Sequence, residues 1–110
     1  MITRQEASKY FYEVVMPAIA ELIEEYKKAG LEVSEHQDPP RFRKKPAILE
    51  NKGIWVTHAN GVQKRIFVSW PERTNKILIG NLSTGDTKLL IFDQADKEFL
   101  KERIRELINV

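Results

Sequence analysis

Apolar residues near the amino terminus recur at the spacing of an α-helix. Thr3 and Glu6 make a Thr-x-x-Glu capping box, in which a hydroxyl and a carboxylate satisfy free N–H groups at a helix start. The apolar positions that follow lie three and four residues apart: Phe11, Val15, Ala18, Ile19, Leu22 and Tyr26. The pattern predicts one long helix that stops at Ala29-Gly30. Pro17 lies opposite the apolar stripe and should kink this helix, or else begin a second one.

An alternating pattern replaces the helical one from Ala47 onward. It predicts strands near 47–51, 53–59, 62–70, 76–82 and 87–92, and the segment 31–35 alternates as a short edge strand would. Asp93 is expected to cap a closing helix, whose inner face carries Phe99, Leu100, Ile104, Leu107 and Ile108.

These elements predict a single two-layer α+β domain over residues 1–110. It consists of a long N-terminal helix, an antiparallel β-meander of about four to five strands and a C-terminal helix. The order of elements is similar to that of frataxin-like domains, a resemblance that implies architecture alone.

Asn60-Gly61 determines the predicted register of the central hairpin. Both residues accept the positive φ of a two-residue type I′ turn, which would place Trp55 opposite Ile66. Trp55 would then lie under the helices with Val68 and Trp70. The opposite face would collect polar and basic residues around apolar ones: Lys52, His58, Gln63, Arg65, Ser69, Ile54, Val56 and Phe67.

Charge is distributed unevenly in a chain whose net charge is only +2. Residues 41–76 carry nine lysines and arginines and two glutamates. Residues 1–40 carry four lysines and arginines and eight acidic residues. Such asymmetry indicates a polyanionic partner or complementary self-association, although neighbouring elements that neutralise each other give the same pattern.

Basic residues around an exposed ring are what single-stranded nucleic acid requires. Lysine and arginine neutralise phosphates, and a ring offers a stacking surface for a base. We therefore predict a non-enzymatic binding domain that engages nucleic acid or another polyanion through a basic sheet face and the 41–45 loop. The residues predicted to make this contact are Arg41, Arg43, Lys44, Lys45, Lys52, Arg65, Phe67 and Arg73.

The apolar arc of the first helix supports a second hypothesis. Tyr12, Met16 and Ile23 widen this arc beyond what packing on one sheet requires. A protein-interaction module, such as an adaptor, inhibitor or immunity-type protein, would use this surface together with the acidic residues of the same helix. A homodimer is the simplest such assembly.

One short segment resembles a catalytic motif. Residues 47–52 match the apolar-apolar-Glu-x-Lys strand of the PD-(D/E)xK nucleases, and Asp38 lies twelve residues before Glu50. The resemblance implies Mg²⁺ at Asp38 and Glu50, with Lys52 positioning the attacking water. Asp38 precedes two prolines instead of following one, and a basic loop stands where the motif has an apolar strand. Because of these departures, a divergent metal-dependent nuclease is only the third hypothesis. We expect that the protein is not an enzyme.

Composition excludes several other classes. The chain has no cysteine, which rules out disulfides, thiolate metal sites and a cysteine nucleophile. His36 and His58 lack the spacing of a paired metal site, and no glycine-rich phosphate loop is present, so no cofactor or metal is predicted. Helix-like sequence begins soon after Met1 and no apolar run approaches a membrane span, so a cytoplasmic protein without membrane contact is expected.

Overall fold

The computed structural model describes residues 3–37 and 48–109. A helical run opens the chain, consisting of α1 (Arg4–Tyr10), a π-helical segment (Phe11–Val15) and α2 (Met16–Lys28). Five strands follow: β1 (Glu32–His36), β2 (Ile48–Thr57), β3 (Gln63–Pro71), β4 (Lys76–Asn81) and β5 (Thr87–Ile91). A 3₁₀ turn (Phe92–Gln94) and α3 (Lys97–Ile108) close the chain. The strands form one antiparallel sheet in sequence order, which confirms the predicted α+β fold.

The amino-terminal helix accommodates Pro17 by widening before it. The predicted capping box is present at its start. Met16 N–H bonds to the carbonyl of Phe11, five residues back, which is the π-helical pattern. Proline has no N–H to donate, and its ring crowds the carbonyl four residues back. The wider turn therefore keeps the run helical across Pro17.

The helices pack on one face of the sheet, and the core lies between the two layers. Its largest side chain is Trp70 of β3, which is fully buried. The Trp70 ring meets Tyr10 edge-on at 5.4 Å between centroids and Phe92 at 4.9 Å. Burial raises the pKa of Tyr10 well above its usual range, and the Tyr10 hydroxyl donates a hydrogen bond to the carbonyl of Ala95. This aromatic cluster joins α1, β3 and the 3₁₀ turn.

The closing helix differs from the prediction at its start. Asp96, and not Asp93, caps α3, since its carboxylate accepts a hydrogen bond from Phe99 N–H at 2.8 Å. Residues 92–94 form a separate turn because Phe92 packs into the aromatic cluster. Phe99 lies about 100° around the helix from Leu100 and is therefore outside the inner face, beneath the Arg103 guanidinium.

The central hairpin turn contains one residue more than predicted. Gly61 N–H bonds to the carbonyl of His58 at 2.9 Å, and His58 N–H bonds to the carbonyl of Val62 at 2.8 Å. Gly61 has a φ of +86°, whereas Asn60 is not in the left-handed region. The loop is thus a type I turn followed by a left-handed glycine, and the predicted type I′ turn is wrong.

The longer turn changes the register of β2 against β3. Trp55 pairs with Arg65, and Ile54 pairs with Ile66. Because successive side chains point to opposite faces, a shift of one residue exchanges the two faces of a strand. Trp55 consequently lies on the face away from the helices, while Ile54 and Val56 enter the core, the reverse of the prediction.

β2 is also one continuous strand where two were predicted. Gly53 pairs with His36 of β1 and with Phe67 of β3, so it does not interrupt the sheet. A bulge between Ile48 and Glu50 is the irregularity that the structure shows in this strand. The predicted edge strand over 31–35 is present as β1.

Acidic residues of α2 link this helix to α3. Glu25 accepts two hydrogen bonds from the Arg105 guanidinium, at 2.8 and 2.7 Å. Glu21 pairs with Lys97 at 2.7 Å and with Lys101 at 3.1 Å. These contacts hold the pKa of both carboxyl groups below the ordinary value, chiefly through hydrogen bonds from Lys97 to Glu21 and from Arg105 to Glu25. Part of the acidic helix surface is therefore used within the domain.

Glu25→Gln is expected to destabilise the domain at neutral pH, and this effect should vanish in acid. The lowered folded-state pKa means that ionised Glu25 contributes stability above its ordinary pKa of 4.5, and that this contribution is lost as the pH falls through the folded-state pKa. Because Glu25 is 44% exposed, solvent screens the pair and the expected loss is about 0.5–1 kcal/mol. Urea unfolding at neutral pH and in acid measures it. Glu24→Gln, at an exposed neighbouring position, is the control, and an equal loss in both variants would contradict the role of the Arg105 pair.

Candidate nucleic-acid interface

The face of the sheet away from the helices is the candidate site, and we call it the outer face. Its centre lies on two adjacent inner strands, with Trp55 on β2 and with Arg65 and Phe67 on β3. Toward β5 the outer face becomes apolar. Leu78 of β4 pairs with Leu89 of β5, and Ile91 lies two residues beyond Leu89 on the same face. The outer face thus combines aromatic, basic and aliphatic side chains in the middle of an antiparallel sheet.

Trp55 is held by groups from the two neighbouring strands. The His36 imidazole of β1 stacks on the indole with 3.7 Å between centroids and 26° between planes. The Arg65 guanidinium of β3 lies 4.3 Å from the indole centroid, within the range of a cation–π contact. Ser34 Oγ lies 2.9 Å from His36 Nε2 and ties the imidazole to its own strand. These contacts fix the position of Arg65 on the outer face.

Phe67 packs against a glycine of the neighbouring strand and forms one wall of a groove. A Cβ atom at Gly80 would lie only 2.6 Å from two atoms of the Phe67 ring, so glycine is what lets the ring approach the sheet. Beside the ring is an open groove of about 320 Å³. Its lining is mostly apolar with a few polar groups: Ile48, Asn51, Phe67, Ser69, Leu78, Leu82 and Thr87.

Among the described residues, the structure brings together two of those that were predicted to contact nucleic acid. Arg65 and Phe67 lie two positions apart on the outer face of β3. Arg73 lies in the turn after β3, with a φ of +60°, beyond the far end of that strand. Lys52 is on the helix-facing side of β2, and its placement beside Arg65 was wrong. The other predicted contacts lie outside the described residues: Arg41, Arg43, Lys44 and Lys45.

Glu50 and Lys52 face the helices, on the opposite side from the groove. Glu50 Oε1 accepts a hydrogen bond from the Ser8 hydroxyl of α1 at 2.7 Å. Lys52 is only 7% exposed, and its Nζ lies 3.6 Å from Glu35 Oε2 of β1. Both side chains therefore link β2 to neighbouring elements. Asp38, the third member of the nuclease-like pattern, lies outside the described residues.

Sequence reasoning missed Trp55 and His36 as residues of this face. The predicted register buries Trp55, and the predicted edge strand ends at Glu35, one residue before His36. β2 itself carries only a partial signal, because β-branched Ile54 and Val56 lie two residues apart and therefore share one face of the strand. Placing that pair in the core exposes Trp55.

Two features are absent from the described part of the chain. Across residues 3–37 and 48–109, no cluster of three or more histidine, aspartate or glutamate side chains is arranged to hold a metal ion. Within the same residues, no helix has the length and apolar character needed to cross a membrane.

Comparison with known proteins identifies no relative. The chain matches no protein-family model, no curated protein and no solved structure.

Proposed function

We propose that the protein is a non-enzymatic binding domain whose outer face binds single-stranded nucleic acid. The observation that carries the proposal is the groove beside Phe67, with Arg65 held two positions away on the same strand. Aromatic and basic side chains on an open sheet are a recurring arrangement for single strands, whose bases are free to stack.

The groove has the chemistry that a nucleobase requires. The Phe67 ring supplies a flat apolar wall, and a base stacked on an aromatic side chain gains about 1–3 kcal/mol. Asn51, Ser69 and Thr87 add polar groups to the lining, and hydroxyl and amide groups of this kind can bond to base edges. A mostly apolar groove with a few polar groups suits a planar ligand that is polar only at its edge.

Arg65 supplies the charge that a phosphate requires. It lies about 7 Å along β3 from Phe67, and its guanidinium presents several N–H donors in a plane. Its contact with Trp55 restricts the side chain before any ligand arrives, which lowers the entropy lost on binding. The basic balance of residues 41–76 adds long-range attraction for a polyanion.

The other two hypotheses find less support. Most of the wide apolar arc of the first helix serves the core, since Ile23 is buried and Met16 packs against the core cluster, although Tyr12 stays exposed. Glu50 and Lys52 are engaged by Ser8 and Glu35. We therefore retain the expectation of no catalysis. A cytoplasmic location stays a prediction that accompanies this proposal.

Phe67→Ala is expected to weaken binding of a fluorescein-labelled single-stranded oligonucleotide by about tenfold or more, because it removes the stacking surface. Fluorescence anisotropy at low and at moderate salt measures the affinity, which should fall as salt rises through loss of counterion release. Phe67→Leu keeps apolar bulk without the aromatic ring and should also bind weakly.

Arg65→Gln tests the phosphate contact, and Arg73→Gln is its matched control in the turn after β3. We expect Arg65→Gln to weaken binding and to reduce the salt dependence, and Arg73→Gln to have a smaller effect. Equal losses in both variants, or unchanged affinity in Phe67→Ala, would contradict the groove as the site. No anisotropy change at several hundred micromolar protein in low salt would contradict the function itself.

A further inference from the structure

The two edges of the sheet differ in how they are protected from pairing with another strand. The β1 edge carries exposed charged and polar side chains, including Glu32, Ser34 and Glu35. Natural sheets commonly use such residues to prevent edge-to-edge association. The β5 edge has no such protection on its outer face, where Thr87, Leu89 and Ile91 follow one another at alternate positions.

The hydrogen bonds at the ends of β5 show which backbone groups point away from the sheet. Asn81 N–H bonds to the carbonyl of Asp86, and Phe92 N–H bonds to the carbonyl of Asn75, each at 2.7 Å. Antiparallel ladders alternate, so Lys88 and Leu90 direct their backbone groups toward β4. The N–H and C=O groups of Thr87, Leu89 and Ile91 consequently lie along the open edge, since β5 is the last strand of the described sheet and has β4 as its neighbour.

This edge is complementary to itself. In an antiparallel pair with a two-fold axis at Leu89, Leu89 faces its own copy and Thr87 faces Ile91 of the second copy. The three outward residues of each strand would then exchange up to about six main-chain hydrogen bonds. Lys88 would face Leu90 of the second copy, so no like charges lie directly opposite, and its ammonium is already paired with Glu106 of α3.

We propose that β5 is a homodimer interface, in which a second copy of this chain adds its β5 antiparallel to the first. The two sheets then form one continuous sheet with both outer faces on the same side. Leu89, which is 61% exposed, becomes covered by its counterpart. This inference is independent of the proposed nucleic-acid binding.

The expected dimer is weak. A pair of five-residue strands buries less area than a standard stable interface, which removes about 800 Å² from each partner. We therefore expect a dissociation constant in the micromolar range, and a monomer–dimer equilibrium that shifts with protein concentration. Sedimentation velocity from a few micromolar to several hundred micromolar protein measures that equilibrium.

Leu89→Lys is the disrupting variant, because it places two like charges opposite each other at the two-fold axis. It is expected to weaken the dimer at least about tenfold. Leu82→Lys is the matched control, since Leu82 is also 61% exposed but lies in the turn between β4 and β5. Leu82→Lys should dimerise as the unmodified chain does.

A charge-swap experiment distinguishes a direct contact from a folding defect. Leu89→Glu should be as monomeric as Leu89→Lys when each is alone, and an equimolar mixture of the two should form a heterodimer. Restored association would support direct pairing at Leu89. A wild-type chain that is monomeric at several hundred micromolar, a mixture that stays monomeric, or equal disruption by Leu82→Lys would overturn the proposal.

Discussion

Trp70→Ala is expected to remove about 3–5 kcal/mol from the free energy of unfolding. Trp70 is fully buried and joins Tyr10 and Phe92 in the aromatic cluster. Its truncation opens a cavity between α1, β3 and the 3₁₀ turn, and it leaves the carbonyl of Thr74 without the indole N–H that donates to it at 3.0 Å. Since small domains have a total stability of about 5–15 kcal/mol, this loss is a large share of the whole, and the midpoint of urea unfolding should fall clearly.

Urea denaturation followed by far-ultraviolet circular dichroism measures this loss. Trp70→Phe is the control, because it keeps an aromatic ring in the cluster while removing the indole N–H, and it should cost clearly less. If alanine and phenylalanine at this position were equally destabilising, the hydrogen bond to Thr74 and not the aromatic packing would dominate at Trp70.

Ile54→Asp is expected to unfold the domain, whereas Trp55→Asp should leave it folded. Ile54 is fully buried beneath the helices, so a carboxylate there loses its hydration and also the packing of the isoleucine, at a combined cost of at least about 4 kcal/mol. Trp55 lies on the outer face, where an aspartate keeps contact with water. Its replacement loses only the contacts with His36 and Arg65, which we expect to cost about 1–2 kcal/mol.

Two-dimensional NMR spectra of the two variants at neutral pH distinguish folded from unfolded chains. Because the two positions are adjacent, they lie in the same strand and the same sequence context. They differ mainly in the face of the sheet to which the side chain points. A dispersed spectrum for Ile54→Asp and a collapsed one for Trp55→Asp would mean that the two-residue turn and its register are correct after all.

The sequence predicted part of the candidate site, namely the residues that β3 contributes. Arg65 and Phe67 were assigned to the same exposed face because both lie on β3, whose own alternation of Ile66, Val68 and Trp70 identifies its buried side. The assignments on β2 depended instead on the length of the turn. Lys52 was therefore placed on the outer face from which it is absent, and Trp55 was buried in error.

The contacts that shape the site connect residues far apart in the chain. His36 reaches Trp55 only because β1 pairs with β2, and Phe67 can lie low on the sheet only because Gly80 of β4 is its neighbour. Neither relation leaves a local pattern in the sequence. The same holds for Glu25 and Arg105, whose pairing required the packing of α2 against α3.

The sequence by itself determined the type and the order of the elements. Capping residues and the periods of 3.6 and 2 act over a few neighbouring residues, so they indicate a helix, a meander and a helix without knowledge of what packs against them. Only the tertiary structure decided the faces of β2, because Asn60-Gly61 is compatible with both a two-residue and a three-residue loop. The observed register places Ile54 and Val56 beneath the helices and leaves Trp55 to stack between His36 and Arg65. That choice depends on how whole layers bury apolar surface, a property that no short stretch of sequence contains.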